Sequence, residues 1–123
     1  VLWQREIQII MHELSIAMSI AELAAEEARK ANASVITQVD VEIGTLAGVE
    51  TEALLFAWES ARNGSPAQTA PLHIHTIRAE AKCLECGGDF PLEHFFTQCP
   101  HCASFRYDVR KGKELRIRSL LVE

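Results

Sequence analysis

The sequence predicts an α+β chain, with two helices packed on a three-stranded mixed sheet and a four-cysteine module inserted before the last strand. Three observations predict it. Two segments carry apolar residues at helical spacing, Leu14–Lys30 and Thr51–Arg62. Three segments alternate or run apolar at strand length, Val35–Ile43, Leu72–Ala81 and Leu115–Val122. All four cysteines fall in two C-x-x-C pairs, Cys83/Cys86 and Cys99/Cys102, between the second and last of those strands.

Taken in order, Val1–Ile10 differs in character from the rest of the chain, and the regular sequence opens at Met11. The expectation is an N-terminal extension over 1–10 and a mature chain beginning at Met11. The alternative is a short strand or arm made by Trp3, Ile7, Ile9 and Ile10. In the first helix Ser15, Ser19, Glu22, Glu26 and Arg29 form a polar stripe. Ile16, Ile20 and Leu23, flanked by Ala17, Ala24 and Ala28, form the expected apolar face. Glu13, just before it, suits the positive start of that helix. Val39, Val41 and Ile43 point to one face of the first strand, Asp40 and Glu42 to the other, and Gly44 ends it. Leu54, Ala57, Trp58 and Ala61 mark the inner face of the second helix, which stops at Asn63-Gly64. The strand–helix–strand order implies a right-handed crossover. Leu72–Ala81 runs into Cys83. Phe105–Arg110 reads as a strand, Lys111-Gly112-Lys113 as a turn, and Leu115, Ile117 and Leu121 as one face of the last strand.

The cysteine spacing carries the strongest chemical signal. Each C-x-x-C turn aims two sulfurs at one point, and two such knuckles make a tetrahedral set of thiolates at Cys83, Cys86, Cys99 and Cys102. Soft thiolates select zinc or iron over hard cations, and a closed four-cysteine site is structural. A zinc ribbon over 82–110 is therefore expected. Two disulfides or a rubredoxin-like iron site are the alternatives. Gly87 follows the first pair and relaxes its turn, whereas Ala103 holds the matching place in the second. His94 and His101 lie close to the thiolates, either as exposed loop residues or as pH-dependent substitutes for a ligand.

Composition limits the remaining choices. The formal net charge is −5, with five Lys/Arg against eleven Asp/Glu in residues 1–80 and seven against six in residues 81–123. An acidic chain is a poor generic nucleic-acid binder. The basic group Arg106, Arg110, Lys111, Lys113, Arg116 and Arg118 reads more simply as a solvated face than as a nucleic-acid site. Arg5, Glu6, His12, Glu13 and Glu22 interrupt every apolar run near the start, so neither a membrane span nor a signal peptide is expected and a cytoplasmic location follows by default. No Ser/His/Asp set, phosphate loop or open metal site with a general base is apparent, which favours a binding protein over an enzyme.

Met11-His12-Glu13-Leu14-Ser15-Ile16-Ala17 opening a helix, a strand ending Val41-Glu42-Ile43-Gly44, a helix containing Leu55-Phe56-Ala57-Trp58-Glu59, and two C-x-x-C pairs twelve residues apart together resemble the HypA/HybF family of hydrogenase nickel chaperones. The resemblance covers Met11–Glu123. It implies a nickel-binding α/β domain over 11–81 and 111–123, with the structural zinc ribbon at 82–110. It implies nickel bound at His12 with the backbone nitrogens of Met11, His12 and Glu13, and a part for Glu13 in nickel delivery. It further implies transfer, with a GTPase partner, to the large subunit of a nickel–iron hydrogenase, and in some members service to urease. Nickel(II) accepts square-planar nitrogen donors, which fits an imidazole chelating beside amide nitrogens. An amide must lose its proton to bind, so residues ahead of Met11 make the site harder to form than a free amine there would. His73 and His75 share one face of a strand and are a second candidate metal pair, or structural histidines. The competing reading is a zinc-ribbon interaction module for protein or nucleic acid, without nickel transfer.

Overall fold

The computed structural model describes the backbone of residues 2–123 and the side chains from His12 onward. The side chains of residues 1–11 lie outside the described residues, and the short strand that was the alternative over Trp3, Ile7, Ile9 and Ile10 is helical backbone instead.

The first helix, α1 (Leu2–Lys30), does not begin at Leu14 as predicted. No glycine or proline interrupts residues 2–30, so nothing in that stretch stops a helix. Met11, His12 and Glu13 are therefore inside α1, and the idea that Glu13 suits the start of this helix fails. α1 ends in a left-handed turn at Asn32 (φ 57°). Ala33 N–H donates to the Ala28 carbonyl at 2.9 Å and Asn32 N–H to that of Arg29 at 3.0 Å, satisfying two of the last carbonyls. The buried stripe is Ala17, Ile20, Ala21, Ala24 and Ala28. Leu23, expected inside, is 54% exposed. α1 packs on the second helix, α2 (Thr51–Ala61), and a seam of alanines permits a closer approach than leucine would.

α2 buries Leu54, Ala57 and Trp58, as its periodicity predicts. The Trp58 indole N–H donates to the Ala70 carbonyl at 2.8 Å, so this buried ring leaves no polar atom unmatched. The first sheet has the order β2-β1-β6, formed by β1 (Ile36–Gly44), β2 (Leu72–Ile77) and β6 (Leu115–Val122). Bonds from Val39 N–H to the Pro71 carbonyl and from Thr45 N–H to that of Ile77 advance together, so β1 and β2 run parallel. Bonds from Gly44 to Glu114 and from Glu123 to Val35 advance oppositely, so β1 and β6 run antiparallel. The sheet is mixed, as expected. On β6, Leu115 and Leu121 are exposed, so the face they were expected to share with Ile117 is not buried.

The single strand predicted over Leu72–Ala81 is two. After β2 the chain passes Arg78-Ala79 and enters β3 (Glu80–Cys83) of a second, antiparallel sheet of order β4-β3-β5, with β4 (Asp89–Pro91) and β5 (Tyr107–Lys111). Ala79 makes the switch: its N–H goes to Thr45 Oγ1 at 3.1 Å and its carbonyl to Leu92 N–H at 3.0 Å. Ala79, Ala81, Cys83, Phe90, Leu92 and Cys99 form this sheet's core, with Tyr107 edge-on to Phe90 at 5.5 Å. Gly44 and Gly112 are required by contact. A Cβ on Gly44 would stand 1.9 Å from the Gly112 carbonyl oxygen, and one on Gly112, at φ 118°, would stand 2.4 Å from Ala79 Cβ.

By contacts the chain forms two compact units. One comprises Val1–Val41, Val49–Ile74 and Arg116–Glu123, the other Glu42–Gly48 and His75–Leu115.

Candidate metal centres

The four cysteines come together through two similar turns. In the first, Gly87 N–H donates to the Cys83 carbonyl at 3.0 Å with Gly87 at φ 75°, and Cys86 N–H points at Cys83 Sγ at 3.5 Å. In the second, Ala103 N–H donates to the Cys99 carbonyl at 2.8 Å, and His101 N–H points at Cys99 Sγ at 3.4 Å. Ala103 holds φ 63°, the left-handed conformation that glycine takes in the first turn, so this turn carries the strain its sequence predicts. Leu84 N–H bonds to the Arg106 carbonyl and Cys99 N–H to that of Ser104, which closes each turn against the chain beyond it.

All four Sγ atoms lie within 4.8 Å of one another, with 3.5 Å between Cys83 and Cys102 and 3.7 Å between Cys86 and Cys99. A tetrahedron with metal–sulfur bonds of about 2.3 Å has edges of about 3.8 Å, so the donors fit zinc. The cysteines are free rather than bridged, which removes the disulfide alternative. Cys83 and Cys99 are buried, while Cys86 and Cys102 are exposed. Zinc, when bound, would supply a fixed charge-neutralising crosslink between the two turns.

Ionisation is uneven among the thiols. The Cys86 amide aimed at its sulfur draws the Cys83 pKa down to about 6, against the opposing effect of burial. For Cys102 the Ser104 amide pulls downward, but the neighbouring Cys83 sulfur and burial prevail and push it up to about 12. Cys86 is also raised, with burial and the Cys99 and Cys83 sulfurs outweighing the Gly88 amide.

No histidine joins this cluster among the described residues. His94 is exposed and shares a turn with Thr97, and the His101 ring lies over Gly88, where a Cβ would meet it at 3.0 Å. His73 and His75 belong to no group of three or more metal-donor side chains among the described residues, and His73 Nδ1 is 3.8 Å from an Asp40 carboxylate that also takes a bond from Gln38. The basic cluster is partly neutralised. Arg106 pairs with Glu85 at 2.7 Å, Lys111 with Glu80 at 3.7 Å, and Lys113 sits over the Phe95 ring.

His12 and Glu13 make a second, very different centre. The His12 side chain is 58% exposed, while that of Glu13 is 2% exposed. Glu13 Oε1 lies 3.0 Å from His12 Nδ1, and Glu13 Oε2 accepts the Glu50 N–H at 2.6 Å. Glu50 is the N-cap of α2 and has no side-chain cap of its own, so a carboxylate from α1 serves the positive end of another helix. Periodicity alone missed this link. Its signal was present, because Glu13 continues the buried stripe Ala17, Ala21, Ala24 and Ala28 one turn back, and a charged residue on such a stripe needs a buried partner.

The family model for HypA, the hydrogenase/urease nickel incorporation metallochaperone, matches residues 11–122. The chain belongs to the HypA family. It is 45% identical over 113 residues to the hydrogenase maturation factor HypA of Parabacteroides distasonis, covering 92% of this chain and 98% of that one. Against the Chlorobaculum parvum factor the identity is 41%, covering 92% and 100%. The fold is similar to the solution structure of the Ni metallochaperone HypA from Helicobacter pylori, at a TM-score of 0.66 and 28% identity over 89% of this chain and 96% of that one. The HypA family is one of metal carriers rather than catalysts.

Proposed function

We propose that this protein carries nickel(II) for hydrogenase maturation, binding it at His12 and holding structural zinc at Cys83, Cys86, Cys99 and Cys102. The observation that carries this reading is the pairing of an exposed imidazole, alone on its helix, with a closed four-sulfur cluster elsewhere in the chain. An exposed donor suits cargo that must be released, and a closed site suits a resident ion. The nickel set would be the His12 imidazole with the backbone nitrogens of Met11, His12 and Glu13. Inside α1 those amides belong to the helical ladder, so loading would open the helix at that point. Glu13 would assist delivery. The recipient would be the large subunit of a nickel–iron hydrogenase, with urease as a second destination. A GTPase partner would supply the nucleotide-driven step, and transfer would take place in the cytoplasm. Among the described residues no helix is long and apolar enough to cross a membrane. In domain terms, 11–81 with 111–123 would serve nickel and 82–110 zinc, with 1–10 as an extension.

The test is a nickel titration of zinc-loaded protein beside His12→Ala and a form beginning at Met11. Near-stoichiometric binding that is lost in His12→Ala, with zinc content unchanged, supports the reading. Nickel binding unaffected by His12→Ala overturns the site and leaves the zinc-ribbon interaction module. Tighter binding by the Met11 form assigns the first donor to a free amine.

A further inference from the structure

Two acidic side chains are buried among the described residues, Asp40 and Glu13. Asp40 sits beside Gln38 and His73 on one sheet. Glu13 is different, because its two oxygens serve two separate elements. Oε1 holds His12 on α1, and Oε2 takes the first amide of the α2 cap. Both bonds are part-buried, and together they fix the carboxylate at each of its oxygens.

The chemistry of capture makes this arrangement consequential. A chelate that includes His12's own amide nitrogen closes a six-membered ring only through Nδ1, since Nε2 faces away from its own backbone. Nδ1 is also the nitrogen that faces Glu13, with Oε1 at 3.0 Å. Nickel and Glu13 therefore compete for one atom. Nickel on Nδ1 would displace Glu13 from that nitrogen, and the bond to Glu13 would be lost. A carboxylate with 2% exposure would then keep one anchor of two, and with Oε1 no longer fixed the group is freer to turn away from the Glu50 amide.

We infer that Glu13 is a positioning residue. It fixes His12 through Nδ1 in the nickel-free protein, and on release it transmits nickel occupancy to Glu50 at the start of α2. The inference rests on the nickel reading above. It gives the chain a way to present a different α2 terminus to a partner when loaded and when empty.

Residue-resolved amide hydrogen exchange tests it, using zinc-loaded full-length protein with nickel as the probe. The Glu50 amide is compared with the Leu54 amide, which donates to the Glu50 carbonyl at 3.0 Å and reports α2 itself. Nickel should speed Glu50 exchange roughly fivefold relative to Leu54 in the wild type and leave it unchanged in His12→Ala. In Glu13→Ala the Glu50 amide should exchange fast with or without nickel. Glu13→Gln, which preserves size, should show a weakened response even if the alanine variant folds poorly, with zinc content as the check on folding. Nickel binding that depends on His12 but leaves Glu50 exchange unchanged would overturn the inference alone. So would an equal nickel response in Glu13→Gln and wild type. Nickel binding that never depends on His12 would overturn the nickel reading and this inference together.

Discussion

The cysteine cluster and the His12 centre differ in almost every property that governs metal residence. The first gathers four soft donors from two hydrogen-bonded turns, two of them buried. The second offers one exposed imidazole, held by a buried carboxylate. On the proposed reading, the contrast is between a site built to keep one metal and a site built to pass on another. Permanence would come from donor number and closure, and release from exposure and a competing internal partner.

The comparison is broken most severely at the sulfurs. Cys83→Ser or Cys99→Ser removes a buried ligand, so zinc content should fall to background and the amide dispersion of the second sheet should collapse, since metal binding there is folding energy. Unchanged zinc content would show that the cluster tolerates three sulfurs. The next effect is at Gly44, where alanine places a Cβ 1.9 Å from a backbone oxygen. A loss of about 3 kcal/mol is expected in chemical denaturation, against about 1 kcal/mol for Gly64→Ala, which meets open space but holds a positive φ. At the other centre, Glu13→Ala leaves the Glu50 amide unmatched, and about 2 kcal/mol of stability should go with it.

The smallest effect is a proton count that sharpens the difference between the sulfurs. Cys83 is a thiolate above about pH 6, whereas Cys86 and Cys102 hold their protons well beyond neutrality. Zinc loading at pH 7 should therefore expel protons from Cys86 and Cys102 but none from Cys83. At pH 5 Cys83 is protonated as well, and the count should rise by about one. The sign follows from a lowered acid pKa: the thiolate is favoured by the fold above about 6, and that contribution disappears as pH falls through it. Calorimetry in buffers of different ionisation enthalpy reads the count, and equal values at the two pH values would contradict it.

Local chemistry was the most legible part of the sequence. The two C-x-x-C turns were readable because each is complete within five residues, down to the strained Ala103. Alternation at Val39, Val41 and Ile43 and the Leu54, Ala57, Trp58 stripe were readable for the same reason. Features that depend on distant partners were not. Leu23 is large and apolar and its spacing points inward, but the helix contact selects the small residues Ala17, Ala21 and Ala24. β4 is three residues, Asp89-Phe90-Pro91, too short to show a period. The break at Arg78-Ala79 is made by Thr45 and Leu92, far away in the chain. His12 carried no metal signal by spacing, and only resemblance singled it out, while the burial of Glu13 needed the position of α2.

The most direct test of the division between the two centres is a chelator challenge of protein loaded with both metals, with nickel and zinc measured in the same sample. Nickel should leave first while zinc and the ribbon signals remain, and His12→Ala should hold zinc but never nickel. Loss of both metals at one rate, or nickel retained in His12→Ala, would contradict it.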